Sequence, residues 1–171
     1  SNINNEFVDL INQKNHAADV SPTASQMPKL VGLAQASRIY RNLSTKNSSK
    51  FSNNGNEIAW GTIGNASTSE GVFFEAINAA GVLQIPMVIS IWDDDYGISV
   101  PNKDQTTKES ISKALKGFQK SDNQAGIEII EVKGWDYTAL IDAYSYASKL
   151  ARKDHIPIMI HVTELTQPLG H

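Results

Sequence analysis

Residues 64–101, GNASTSEGVFFEAINAAGVLQIPMVISIWDDDYGISVP, constrain this chain more than any other stretch. Gly64 closes a β-strand, a small polar turn follows, then a helix. Pro86 opens an apolar run from Met87 to Trp92 that reads as a buried parallel strand. That strand ends in three aspartates, a tyrosine and a glycine. A parallel strand–helix–strand unit is almost always right-handed, which puts both polar strand ends on one edge of the sheet. Ligands of open parallel sheets bind outside the carboxyl ends of the strands. Asn65 and Asp94 are therefore expected to converge on one bound group.

The rest of the chain extends the same pattern. Residues 5–14 (EFVDLINQKN) suit a short helix, and 16–23 a loop around Pro22. Residues 25–43 carry Leu30, Val31, Leu33, Ala34, Ile39 and Tyr40 at helical spacing, with Pro28 in the first turn. The alanines and Gly32 predict close packing there. Residues 44–56, rich in Ser, Asn, Lys and Gly, predict a surface loop. Strands are expected over 57–63, 127–132 and 157–162, and helices over 71–83, 108–118 and 136–153, with a polar loop over 102–107. This alternation predicts an α/β fold with a mainly parallel sheet and helices on both faces.

At 171 residues the chain is expected to be one domain, or a piece of a longer chain. It starts on Ser1-Asn2 without a methionine and stops after Gly170-His171, which favours a fragment. A net charge of −3 argues against a general nucleic-acid binder. No apolar run has the length of a membrane span, no secretory leader pattern is visible, and there is no cysteine for disulfide or thiolate chemistry. A cytoplasmic protein is expected.

Two stretches could carry chemistry. The turn at 64–71 sits before a helix start, where backbone N–H groups and the helix dipole suit an anion such as phosphate. Residues 67–70 could equally be a helix cap with no ligand. Asp93-Asp94-Asp95 ends a buried strand with like charges that a cation or hydrogen bonds must offset. Hard carboxylate oxygens beside a phosphate suit magnesium. A solvated acidic loop is the alternative.

Taken together, the two stretches resemble the thiamine diphosphate fingerprint, which begins Gly-Asp-Gly and ends Asn-Asn some thirty residues later. Thirty positions separate Gly64 from Asp94. The resemblance is strongest to the alpha subunit of the 2-oxoacid dehydrogenase decarboxylating components, of the branched-chain (2-oxoisovalerate) type. In that family the turn runs T-S-E-G, as Thr68-Ser69-Glu70-Gly71 does here, and the strand ends N-N-x-Y-[AG]-I-S, matched by DDDYGIS. The likeness extends over nearly forty contiguous positions. It departs in three places: Asn65 replaces the family's acid, Ala66 its second glycine, and Asp93-Asp94 its asparagine pair. The resemblance thus implies an exchanged metal set of the Asn65 amide oxygen, the Asp94 carboxylate and the Tyr96 carbonyl around Mg2+. It also implies cofactor contacts from Gly64, Asn65, Ala66, Ser67, Asp94, Tyr96 and Ile98.

Residues 21–28 (SPTASQMP) resemble the family segment S-P-L-A-T-Q-x-P, which implies contacts from Ser21 and the backbone of Thr23. A plain helix-entry loop with Ser25 as cap is the competing reading. Trp92 falls where some members carry a basic residue that reaches the diphosphate, and an indole supplies no such charge. Residues 163–171 resemble the start of the loop that bears an active-site histidine, which makes His171 the catalytic candidate by resemblance. His16, His155 and His161 read as surface or structural, His161 as a hydrogen-bonded strand residue.

The resemblance implies oxidative decarboxylation of a 2-oxoacid on thiamine diphosphate, with the acyl fragment passed to a lipoyl group of an acyltransferase component. It implies a beta-type subunit or domain that completes the active site, hence a homo- or hetero-oligomer and an isolated chain with no turnover. The rivals are a thiamine diphosphate enzyme of transketolase type and a non-catalytic interaction domain that kept the fold and lost the cofactor. A Rossmann-type nucleotide domain ranks last, because neither G-x-G-x-x-G nor G-x-x-x-x-G-K-[ST] occurs.

Overall fold

The computed structural model describes residues 21–43 and 51–166. The helix expected over 5–14 lies outside the described residues.

Four parallel strands form the sheet: β1 (Ala59–Gly64), β2 (Met87–Trp92), β5 (Glu128–Lys133) and β6 (Ile158–Thr163), in the order β1-β2-β6-β5. The two central strands are buried and mostly apolar on both faces because helices cover both, with Ser90 and His161 as the buried polar exceptions. Alternation along the chain splits their side chains cleanly. Met87, Ile89 and Ile91 of β2 and Met159 of β6 face one core, where α1 (Gln26–Asn42) and α2 (Gly71–Leu83) pack. Val88 of β2 and Ile158, Ile160 and Val162 of β6 face the other, closed by Ala147 and Ala151 of α5 (Tyr137–Asp154).

The helices form where apolar positions recur every three or four residues. In α1 the buried face is Met27, Leu30, Ala34 and Ser37. Gly32 lies open, with nothing within 4 Å of where its Cβ would be, so it is the alanines and not the glycine that pack closely. In α2 the buried face is Phe73, Ala76, Ile77 and Ala80. Asp136 caps α5, its carboxylate accepting the Ala139 N–H at 2.9 Å.

Several expectations need correction. Residues 67–70 do not build a capping box. Ala66–Ser69 form a 3₁₀ turn, the Thr68 hydroxyl donates to the Asn65 carbonyl, and Glu70 stands at the N-cap without a side-chain bond. Ser25 does not cap α1 either, because its hydroxyl donates to the Pro22 carbonyl. The stretch expected as one helix over 108–118 is broken into a 3₁₀ turn, the single-turn helix α4 (Ile111–Ala114) and a second 3₁₀ turn. Lys108 and Glu109 take left-handed backbone, at φ 63° and 58°, which no continuous helix accepts. The polar loop after Pro101 contains the short helix α3 (Asn102–Gln105), preceded by a hairpin of β3 (Tyr96–Gly97) and β4 (Val100–Pro101).

Of the predicted surface loop, residues 51–56 are tied down. Arg41 donates to the Gly55 carbonyl and the Asn56 side chain, His155 Nε2 donates to the Gly55 carbonyl at 3.0 Å, and Ser52 is buried.

Candidate functional site

The carboxyl ends of β1 and β2 open into a cavity of about 780 Å³. Its walls include Thr23 and Gln26 at the start of α1, Gly64–Asn65–Ala66–Ser67 after β1, Trp92 and Asp94 after β2, Tyr96, Gly97 and Ile98 of the hairpin, and Leu165 and Thr166 after β6. The cavity therefore gathers Thr23, Gly64, Asn65, Ala66, Ser67, Asp94, Tyr96 and Ile98 of the positions singled out from sequence. Ser21 is exposed and outside its walls. His171 and His16 lie outside the described residues.

Each wall is positioned by backbone. The Asn65 N–H donates to the Trp92 carbonyl at 3.0 Å, which staples the end of β1 to that of β2. The Asp93 N–H donates to the Val162 carbonyl at 2.9 Å, and the Leu165 N–H donates to the Asp93 carbonyl at 3.2 Å. Nothing lies within 4 Å of where a Gly64 Cβ would be, so the strand end leaves open space over its backbone. Ile98, at φ 57°, sits at the tip of the two-residue hairpin loop and is 74% exposed. A β-branched residue in that conformation costs about 1–3 kcal/mol, and such strain concentrates at ligand clamps.

The three aspartates take three different roles. Asp93 is buried; its Oδ2 meets His161 Nε2 at 2.7 Å, and its Oδ1 accepts the Asp95 N–H at 2.9 Å and Asn102 Nδ2 at 2.8 Å. Burial pushes the Asp93 carboxyl up, but these bonds outweigh it and hold the group below the usual carboxylate value. Asp94 turns to the cavity, its Oδ1 accepting the Tyr96 N–H at 3.2 Å. Asp95 is exposed, at φ 68°. The run is thus neither a solvated loop nor a cluster of three ligands.

His161 is the hydrogen-bonded strand residue expected from sequence, with Ser112 Oγ 2.5 Å from its Nδ1. Although Ser112, His161 and Asp93 recreate the residue types of a hydrolytic triad, all three are buried and none lines the cavity except through Asp93's neighbour Asp94. This is a structural tie between β2, β6 and α4.

Sequence reasoning missed Asn102. Its Oδ1 accepts Asn65 Nδ2 at 2.9 Å, and Asn65 Nδ2 also donates to the Tyr96 carbonyl at 3.0 Å. No local pattern marks an asparagine thirty-seven residues downstream as a partner of Asn65.

The chemistry of the donor set fits a hard divalent cation. It offers a carboxylate at Asp94, an amide at Asn65 and a backbone carbonyl at Tyr96, each joined to the next through one hydrogen bond at Tyr96. No lysine or arginine stands among the cavity's described walls.

These features define an open parallel α/β domain with a cavity at the carboxyl edge of its sheet, in which Asn65, Asp94 and Tyr96 are set among mainly apolar walls. The chain belongs to the dehydrogenase E1 component family, whose model matches residues 8–164. It is 28% identical over 160 residues to the 2-oxoisovalerate dehydrogenase alpha subunit 2 of Arabidopsis thaliana, covering 94% of this chain and 29% of that one. It is 29% identical over 140 residues to the 2-oxoisovalerate dehydrogenase alpha subunit of Bacillus subtilis, covering 82% of this chain and 36% of the relative. The pyruvate dehydrogenase E1 alpha subunit of Acholeplasma laidlawii is 30% identical over 136 residues, 80% of this chain and 34% of the relative. The chain spans about a third of the length of these relatives. The fold is shared with transketolase from Campylobacter jejuni, with a TM-score of 0.58 at 18% identity over 80% of this chain and 19% of that structure.

Proposed function

We propose that this chain is the magnesium- and diphosphate-binding half of a 2-oxoacid dehydrogenase decarboxylating component. The observation that carries this is that Gly64, Asn65, Asp94 and Tyr96 meet in one cavity, with no side-chain cation among its described walls. Asn65, Asp94 and Tyr96 would hold Mg2+, and Ser67, Ala66 and the open edge at Gly64 would take the diphosphate. Thr23, Gln26 and Ile98 would flank the rest of thiamine diphosphate. Bound there, the cofactor would supply the nucleophilic carbon and the electron sink for decarboxylation. The acyl group would leave to the lipoyl arm of an acyltransferase component.

The cofactor-activating glutamate that the family resemblance implies and the remaining wall of the site are assigned to a beta-type subunit or domain, with His171 on the substrate side and the assembly oligomeric and cytoplasmic. Among the described residues no helix is long and apolar enough to cross a membrane. The relatives named above favour this reading over a transketolase-type enzyme, whose likeness is one of fold. The rival reading, a domain that kept the fold and lost the cofactor, is favoured by one contact: Asn65 Nδ2 already satisfies the Tyr96 carbonyl. A carbonyl oxygen has two lone pairs, so this bond and a metal are compatible.

The test is 2-oxoacid oxidation with an artificial electron acceptor. The intact protein should turn over only with thiamine diphosphate and Mg2+, and residues 1–171 alone should not. Turnover by the isolated chain would sink the two-half assignment. An intact protein inert toward pyruvate and the branched-chain 2-oxoacids at saturating cofactor would sink the enzymatic one.

A further inference from the structure

We infer that Asn102 is a positioning residue that fixes which end of the Asn65 carboxamide faces the metal. The inference deepens the functional reading above and rests on it. A carboxylate at position 65 would offer a metal the same oxygen whichever way it turned. An amide offers oxygen on one end and N–H on the other, and only the oxygen can ligate a hard cation. A site with asparagine there needs something to set the orientation.

The hydrogen bonds supply it from both ends. Tyr96 O is a backbone carbonyl and can only accept, so the Asn65 atom 3.0 Å from it is Nδ2. Asp93 Oδ1 accepts the Asp95 backbone N–H, so the Asn102 atom 2.8 Å from that oxygen is Nδ2 as well. This leaves Asn102 Oδ1 facing Asn65, and it accepts the same Nδ2 at 2.9 Å. Both Asn65 amide protons are thereby committed. Asn65 Oδ1 takes no hydrogen bond among the described residues, and Asn65 lines the cavity. The orienting chain is itself anchored, since His161 holds the far oxygen of Asp93 at 2.7 Å. Asn65, Asp93 and Asn102 are all buried, which shields the bonds from Asn65 to Asn102 and from Asn102 to Asp93.

The experiment measures Mn2+ affinity at saturating thiamine diphosphate in the intact protein, for the natural sequence, Asn102→Leu, Asn65→Asp and the double variant. Asn102→Leu should weaken Mn2+ about 10- to 100-fold, the usual scale for an outer partner of a metal ligand. On the Asn65→Asp background the same change should cause no weakening, because a carboxylate needs no orienting and the repelling Asn102 oxygen is gone. Equal weakening in both backgrounds would show a merely structural role and overturn the inference, as would unchanged affinity in Asn102→Leu alone. Those outcomes leave the functional reading standing, whereas a natural sequence that binds no Mn2+ overturns both. Should Asn102→Leu fail to fold by circular dichroism, Asn102→Ser, too short to bridge Asp93 and Asn65, carries the same two predictions.

Discussion

The Cβ of Ala66 lies 2.6 Å from where a Cβ on Gly97 would stand. The turn after β1 and the hairpin after β2 touch at this point, each contributing one wall of the cavity. Where the family fingerprint has glycine in the turn and alanine or glycine in the hairpin, this chain has alanine in the turn and glycine in the hairpin. The contact explains why the hairpin residue must be glycine once the turn residue is not.

Gly97→Ala is therefore expected to destabilise the protein by about 1–3 kcal/mol through overpacking. Ala66→Gly should recover part of that loss. The Gln105 side chain, also 2.6 Å from that position, is flexible and can move. A double-mutant cycle in urea should give a coupling energy of about 1 kcal/mol or more, and strict additivity would contradict the contact.

Asp93 and His161 form a buried pair at 2.7 Å, and removing either one takes a hydrogen bond from the other inside the core. Asp93→Ala or His161→Ala should each cost about 3–5 kcal/mol, and the double variant clearly less than their sum. Because the folded pKa of Asp93 is depressed, its contribution is present above its ordinary value of 3.8 and is lost as pH falls through the folded value. Asp93→Asn should flatten the acid limb of the stability curve below pH 4.

His155 closes α5 in a left-handed conformation, at φ 54°, with its ring buried against Gly55. Burial first, and then the charges of Arg41 and Arg38, lower its pKa from the ordinary 6.5 despite the bond to the Gly55 carbonyl. Between the lowered folded value and 6.5 the unfolded chain binds more protons, so stability falls as pH drops through that window. His155→Asn keeps a donor and tolerates left-handed backbone. The variant should lose less stability than the natural sequence between pH 7 and pH 5, measured by thermal unfolding in matched buffers.

Arg41 reaches from α1 to the end of α5, donating to the carbonyls of Arg152 at 2.7 Å and Lys153 at 3.1 Å and to the Gly55 carbonyl at 3.1 Å. The Arg152 and Lys153 carbonyls are left open at the carboxyl end of α5, where a cation is favoured. Arg41→Met should lower stability by about 1–3 kcal/mol and Arg41→Lys by nearly as much, since one ammonium cannot span three carbonyls. Lys matching Arg in urea unfolding would contradict this.

The sheet was legible because its signals are local. The apolar run 87–92 and the helical spacing over 25–43 each sit within one element, and the structure places those elements within a residue or two of the expectation. The cavity was legible through the family resemblance, which located most of its walls. What was not legible depends on backbone that side-chain pattern does not encode. Ile98 and Lys108 adopt left-handed conformations that their side chains disfavour, so neither the hairpin nor the break before α4 could be read. The roles within Asp93-Asp94-Asp95 were hidden because His161 and Asn102, which separate them, come from elsewhere in the chain. Residues 67–70 looked like a cap because the bond from the Thr68 hydroxyl to the Asn65 carbonyl appears only in three dimensions.

The most direct test of the account is isothermal titration of thiamine diphosphate into the intact protein, with and without Mg2+, beside Asp94→Ala. The account predicts binding that requires Mg2+ and is lost in Asp94→Ala while the variant melts at the same temperature. Binding that ignores Mg2+, or that survives in Asp94→Ala, would contradict the exchanged Asn65–Asp94 site.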